Sequence, residues 1–105
     1  MLKGLTQGKW TRPTDKSAVY TEIAPGSKWG IRVTLIEHYA KVEAVDSPNA
    51  ALYEAPERYC TIVKPPGFLE RLRGITFEDK IMAAVAAKRK VAEEENRHLT
   101  TSPQG

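Results

Sequence analysis

Few side chains in this chain have the types and spacing that do chemistry. Cys60 is the only cysteine, and His38 and His98 are the two histidines. A cysteine nucleophile needs an imidazole in contact and a third group to orient that imidazole. Cys60 instead lies between Tyr59 and Thr61 in a β-branched, aromatic stretch, where cysteine commonly behaves as a small buried hydrophobe. Neither a GxSxG nor an HExxH pattern occurs. One cysteine and two histidines also fall short of a Cys2His2 zinc site, and no carboxylate cluster has calcium-loop spacing. No catalytic residue, metal ligand or cofactor is assigned, and a small enzyme stands third among the functions considered.

Both tryptophans have basic neighbours, in Lys9-Trp10-Thr11-Arg12 and Lys28-Trp29-Gly30-Ile31-Arg32. On an open sheet, aromatic rings stack bases while cations neutralise phosphates. Strand alternation separates the two segments. Trp29 is in phase with Ile31, Val33 and Leu35, which places it in the core. Lys28, Gly30 and Arg32 share the opposite face and form a small basic strip without an aromatic. Trp10 shares a face with Arg12 and is the more exposed ring. Trp10, Arg12, Lys28 and Arg32 therefore form the candidate set for nucleic-acid contact, the alternative function. Sixteen bases against thirteen acids, a net +3, support it only weakly.

Two further segments have patterned charge. Phe68-Leu69-Glu70-Arg71-Leu72-Arg73 is either a membrane-touching amphipathic turn or a short helix closing the core under the sheet. It is very short for the first role, so the second is expected. Lys88-Arg89-Lys90 precedes Glu93-Glu94-Glu95 at helical spacing. Basic block against acidic block would suit a partner or a second copy. Lys88, Arg89, Val91, Glu94 and Glu95 are the candidate partner-binding residues.

The elements that must position these residues follow from a change of pattern at Lys64-Pro65-Pro66-Gly67. Before it, apolar residues alternate in short runs, giving strands at 9–12 and 18–24 around the turn-rich Pro13–Ser17. After Pro25-Gly26-Ser27 the clearest strand begins, with Trp29, Ile31, Val33 and Leu35 on one side. Beyond Ile36 the apolar phase moves to Ala40, Val42 and Ala44, so a tight connection at Glu37-His38 is expected, with a bulged long strand as the alternative. Ser47-Pro48 opens a short helix over 48–55, and Arg58–Val63 is the last strand. After the break, Phe68, Leu69, Leu72 and Ile75 lie on one side of a turn bounded by Gly67 and Gly74. Thr76, with Asp79 three residues on, caps a helix running to about His98.

On that helix Phe77, Ile81, Ala84 and Val85 form one arc. Continuing the arc brings Lys88, Val91, Ala92 and Glu95, so burial is expected to weaken beyond Ala87. The distal half would then project, and removing residues 91–105 would leave the fold intact.

The fold class is thus α+β: an antiparallel sheet of four to five strands, a short helix, and a long C-terminal helix packed on one face. The expected organisation is a flexible lead-in over 1–8, a domain over 9–99, and a disordered tail over 100–105. No apolar run approaches the ~20 residues that span a bilayer, and no leader pattern opens the chain. With one cysteine, the expected location is cytoplasmic. No motif specifies a chemistry. The favoured function is a small non-catalytic protein-binding or adaptor module that presents its distal helix or a sheet edge to a protein partner or a second copy.

Overall fold

Alternating apolar residues between Lys9 and Val45 fold into successive antiparallel hairpins. A computed structural model describes residues 4–46 and 57–101. The strands are β1 (Lys9–Thr14), β2 (Ser17–Glu22), β3 (Gly30–Ile36), β4 (Tyr39–Val45) and β5 (Cys60–Val63). They form one antiparallel sheet in sequence order. Two helices follow, α1 (Phe68–Leu72) and α2 (Phe77–Thr101). The expected α+β architecture is what forms: five strands, a short helix, and a long C-terminal helix packed against the sheet. The helix expected over 48–55 lies outside the described residues; the short helix here is α1.

The connections explain the register. Ile36 pairs with Tyr39 across Glu37-His38, so the phase slip read in the sequence is a two-residue hairpin turn. Ser27 N–H donates to the Ala24 carbonyl at 3.0 Å, with Pro25 next and Gly26 at φ +80°. Proline at the second position and a left-handed glycine at the third are the requirements of a type II turn. Between Thr11 and Thr14 the β1–β2 register is broken, and Pro13 in that gap has no N–H to give a ladder.

α2 starts with a reciprocal cap. Asp79 N–H donates to Thr76 Oγ1 at 3.0 Å, and Thr76 N–H donates to Asp79 Oδ2 at 2.9 Å. The second bond, to the Thr76 N–H, holds the Asp79 carboxyl below its ordinary range. Two otherwise orphaned helix-terminal donors are thereby satisfied. α1 ends in a Schellman turn: Gly74 N–H reaches the Arg71 carbonyl and Ile75 N–H the Glu70 carbonyl, with Gly74 at φ +80°.

The core lies between α2 and one face of the sheet. It comprises Leu5, Tyr20, Ile31, Val33, Ala40, Val42, Val63, Ile81 and Val85, with Trp10, Leu35 and Phe77 packed at its border. Ile81, Val85, Lys88 and Ala92 are all buried, which is one continuous stripe at helical spacing.

Five expectations are corrected here. The distal half of α2 does not leave the body, because Lys88 and Ala92 are each 5% exposed. Lys88 sits on the buried stripe because its Nζ donates to the Glu57 carbonyl at 2.9 Å. Residues 4–8 are not a loose lead-in, since Leu5 is buried in the core. Thr100 and Thr101, expected in the tail, belong to α2, which continues through Thr101. Trp29 precedes β3 and is only half-buried, outside the core cluster. The fifth correction concerns α1, which closes no core: Phe68, Leu69 and Leu72 are 68%, 69% and 68% exposed.

Ile81→Ala empties a fully packed site and is expected to cost about 2–5 kcal/mol in urea unfolding. Removing residues 91–105 takes away Ala92 and every contact beyond it, so the shortened chain is expected to lose most of its stability. An unchanged urea midpoint after that truncation would contradict the docked helix.

Candidate functional site

The distal helix, expected to face a partner, is bound to the rest of the chain by side chains from four places. Arg89 holds the Glu22 carboxylate at the end of β2 through two bonds, 2.9 and 2.8 Å, and also donates to the Gly4 carbonyl at 3.1 Å. Tyr20 OH donates to the same carboxylate. Glu94 pairs with Arg58 at 3.0 Å, and Glu95 accepts from Tyr59 OH at 3.0 Å. Asn96 takes the Trp29 backbone as a neighbouring strand would, accepting its N–H at 2.8 Å and donating to its carbonyl at 3.0 Å. The Trp29 ring lies 5.5 Å from that of Tyr59. Of the five candidate partner-binding residues, Lys88, Arg89, Glu94 and Glu95 thus work inside the molecule; Val91 is half-buried.

These contacts set the protonation chemistry. Burial alone would raise the Glu22 carboxyl, but the bonds from Arg89 and Tyr20 outweigh it and hold the group below its ordinary 4.5. Burial and the adjoining Glu22 push the Tyr20 hydroxyl up.

The candidate nucleic-acid residues do not come together. Trp10 lies on the core side, its ring centroid 5.2 Å from that of Tyr20 and its Nε1–H bonded to the Leu5 carbonyl at 3.0 Å. Arg12 is exposed beside it, and both line a shallow cavity with Ala18 and Leu35. Arg32 lies on the opposite face, where it grips the buried Glu43 through bonds of 3.0 and 3.1 Å. Lys41 adds a second cation to Glu43 at 3.8 Å. Lys28 is exposed in the turn before β3.

Cys60 pairs across from Glu43, near the far end of β4 from His38, so the thiol and imidazole are separated along the strand. Burial, then the Glu43 charge, pushes the thiol up, the reverse of what an activated nucleophile needs. Among the described residues, no three His, Cys, Asp or Glu side chains converge as a metal site.

The sequence reading named a sheet edge as a partner surface but missed the residues at the opposite corner that form one. β5 is an edge strand. Ala44 N–H donates to the Tyr59 carbonyl directly opposite, at 2.8 Å, and antiparallel ladders alternate bonded and non-bonded pairs. Thr61 and Val63 therefore turn their backbone groups to β4, and Cys60 and Ile62 turn theirs outward. Beside them lies an open, mostly apolar depression of about 540 Å³ lined by His38, Tyr39, Ile62, Lys64 and Pro65. Ile62 is 50% exposed and Tyr39 is 37% exposed. The signal for this was present in the alternation: Tyr39 and Ile62 fall on the strand phase opposite the core set Ala40, Val42 and Val63.

No protein-family model matches the chain, and neither a curated protein nor a solved structure does. Among the described residues no helix is long and apolar enough to cross a membrane.

The Glu22 carboxyl titrates lower in the folded chain than in the unfolded one. Its contribution is therefore full above the unfolded value and is lost as pH falls through the folded value. Glu22→Gln is expected to cost about 1 kcal/mol at neutral pH, a magnitude kept small by partial solvent screening. It is also expected to flatten the fall in stability below pH 4.5. Urea midpoints measured at neutral and acid pH check both.

Proposed function

We propose that this chain is a small non-catalytic protein-binding module that receives an extended, apolar segment of a protein partner along β5. The observation that carries this reading is the outward-facing backbone of Cys60 and Ile62 beside the Tyr39–Ile62–Pro65 depression. A strand laid there gains main-chain hydrogen bonds from the edge and places alternate side chains on the apolar surface. The other edge is poorly suited to the same task. β1 has Pro13, a broken register and an exposed Lys9, devices that discourage strand addition. The distal helix, used internally, gives the partner less to bind.

The nucleic-acid alternative has less behind it. Its aromatic is packed against Tyr20 and its central base is bound to Glu43.

A random peptide display selection against the immobilised chain is expected to enrich apolar, β-prone sequences. Ile62→Pro removes one outward donor but no bond to β4, so it should leave the fold intact and weaken the selected peptides at least tenfold. Enriched peptides that bind Ile62→Pro and Ile62→Lys as tightly as the parent chain would refute the edge. So would a selection that enriches nothing.

A further inference from the structure

α1 is a helix without a tertiary neighbour. None of its Cα atoms comes within 8 Å of a Cα in a strand or in α2, and Phe68, Leu69 and Leu72 each leave about two-thirds of their surface in water. Its ties to the body are polar and lie on one side. Glu70 accepts from the Gly67 N–H at 2.9 Å and from Lys80 Nζ at 3.1 Å. The only acid of α1 is thus neutralised from within, and these two bonds, that from Gly67 first, hold its carboxyl below the ordinary range.

The wheel sorts the remaining charges. At about 100° per residue, Phe68, Leu72 and Leu69 occupy one arc of about 100°. Arg71 falls about 60° to one side of it and Arg73 about 40° to the other, while Glu70 lies on the back. Arg71, Arg73 and the preceding Lys64 are exposed, and none has an acidic partner among the described residues. The outcome is an apolar knob flanked by cations, with its one acid turned inward.

We propose that α1 is a membrane-contact knob: Phe68, Leu69 and Leu72 enter the interfacial region of an anionic bilayer, while Arg71 and Arg73 meet lipid phosphates and carboxylates. The shortness of α1 counted against membrane contact only while a core role stood. With that role excluded by exposure, shortness counts more against a protein interface, and charge favours a bilayer. Five residues of helix span about 7.5 Å, and three side chains supply far less than the ~800 Å² per partner of a stable protein interface. A bilayer requires no complementary groove. A second copy would bring Arg71 and Arg73 against their own kind. Anionic lipid answers both the apolar arc and the flanking bases, since each base near such a surface adds attraction. Insertion of this kind anchors peripherally and spans nothing.

The test is co-sedimentation of the full chain with vesicles of phosphatidylcholine alone and of phosphatidylcholine with about one-third phosphatidylserine. Binding is expected to the anionic vesicles only, and to weaken several-fold with added salt. Phe68→Ser with Leu72→Ser, and separately Arg71→Ala with Arg73→Ala, should each reduce it at least tenfold. These side chains are exposed, so thermal melts of both variants should match the parent. Phe68→Trp gives an independent reading: its emission should shift to the blue with anionic vesicles and be quenched by brominated lipid. No binding to anionic vesicles overturns the proposal. Binding that survives loss of Phe68 and Leu72 overturns it too, leaving only a diffuse basic attraction. If the α1 variants instead weaken the peptides selected on β5 and leave vesicle binding unchanged, α1 belongs to a protein interface. The β5 reading stands or falls on the display selection alone.

Discussion

The seating of α2 is the constraint on which the other contacts depend. A five-stranded sheet with one apolar face must have that face covered, and among the described residues the helix stripe Ile81–Val85–Lys88–Ala92 does most of it. Lys88 makes the fit specific. A lysine in the interface is unfavourable unless its amine finds an acceptor, and only one described carbonyl, that of Glu57, receives it. Apolar burial thus supplies the attraction, and the Lys88 amine adds one directional bond to it.

Once the stripe is seated, the polar residues flanking it reach fixed targets. Arg89 meets the end of β2 and the carbonyl of Gly4, and so ties the segment holding Leu5 to the helix. Asn96 closes over the backbone leading into β3. Each exposed pair of this sort is worth little alone. Their arrangement matters because they join the two ends of the described chain to the middle of the sheet, across sequence separations of 67 and 85 residues.

The parts legible in the sequence are those governed by near neighbours. The shift of phase at Glu37-His38 called for a turn or a bulge, because side-chain direction in a strand repeats every two residues, and the favoured turn is what forms. Thr76 and Asp79 capped the helix as their three-residue spacing implied. The fate of the distal helix was not legible. Lys88 and Glu95 on an otherwise apolar stripe read as the end of burial, and only the positions of Glu57 and Tyr59 make burial tolerable. Leu5 failed for the same reason, since its burial depends on β2 and α2. α1 erred in the opposite direction. Its apolar arc was visible, but periodicity records that a face is apolar and not what covers it. The exposed Tyr39 and Ile62 were encoded in the alternation and became meaningful only when β5 was placed at the edge.

The two edges of the sheet are unlike, and this gives the molecule a direction. At β1 a proline and a broken register interrupt the pairing; at β5 no further strand pairs with the outer side among the described residues. Growth of a sheet by repeated head-to-tail addition needs two compatible ends, and this chain offers one. An added strand therefore ends the series that it begins, at one segment per molecule or at a single closed pair. If β5 receives a partner strand as proposed, the same asymmetry disfavours propagation of the sheet into a fibre.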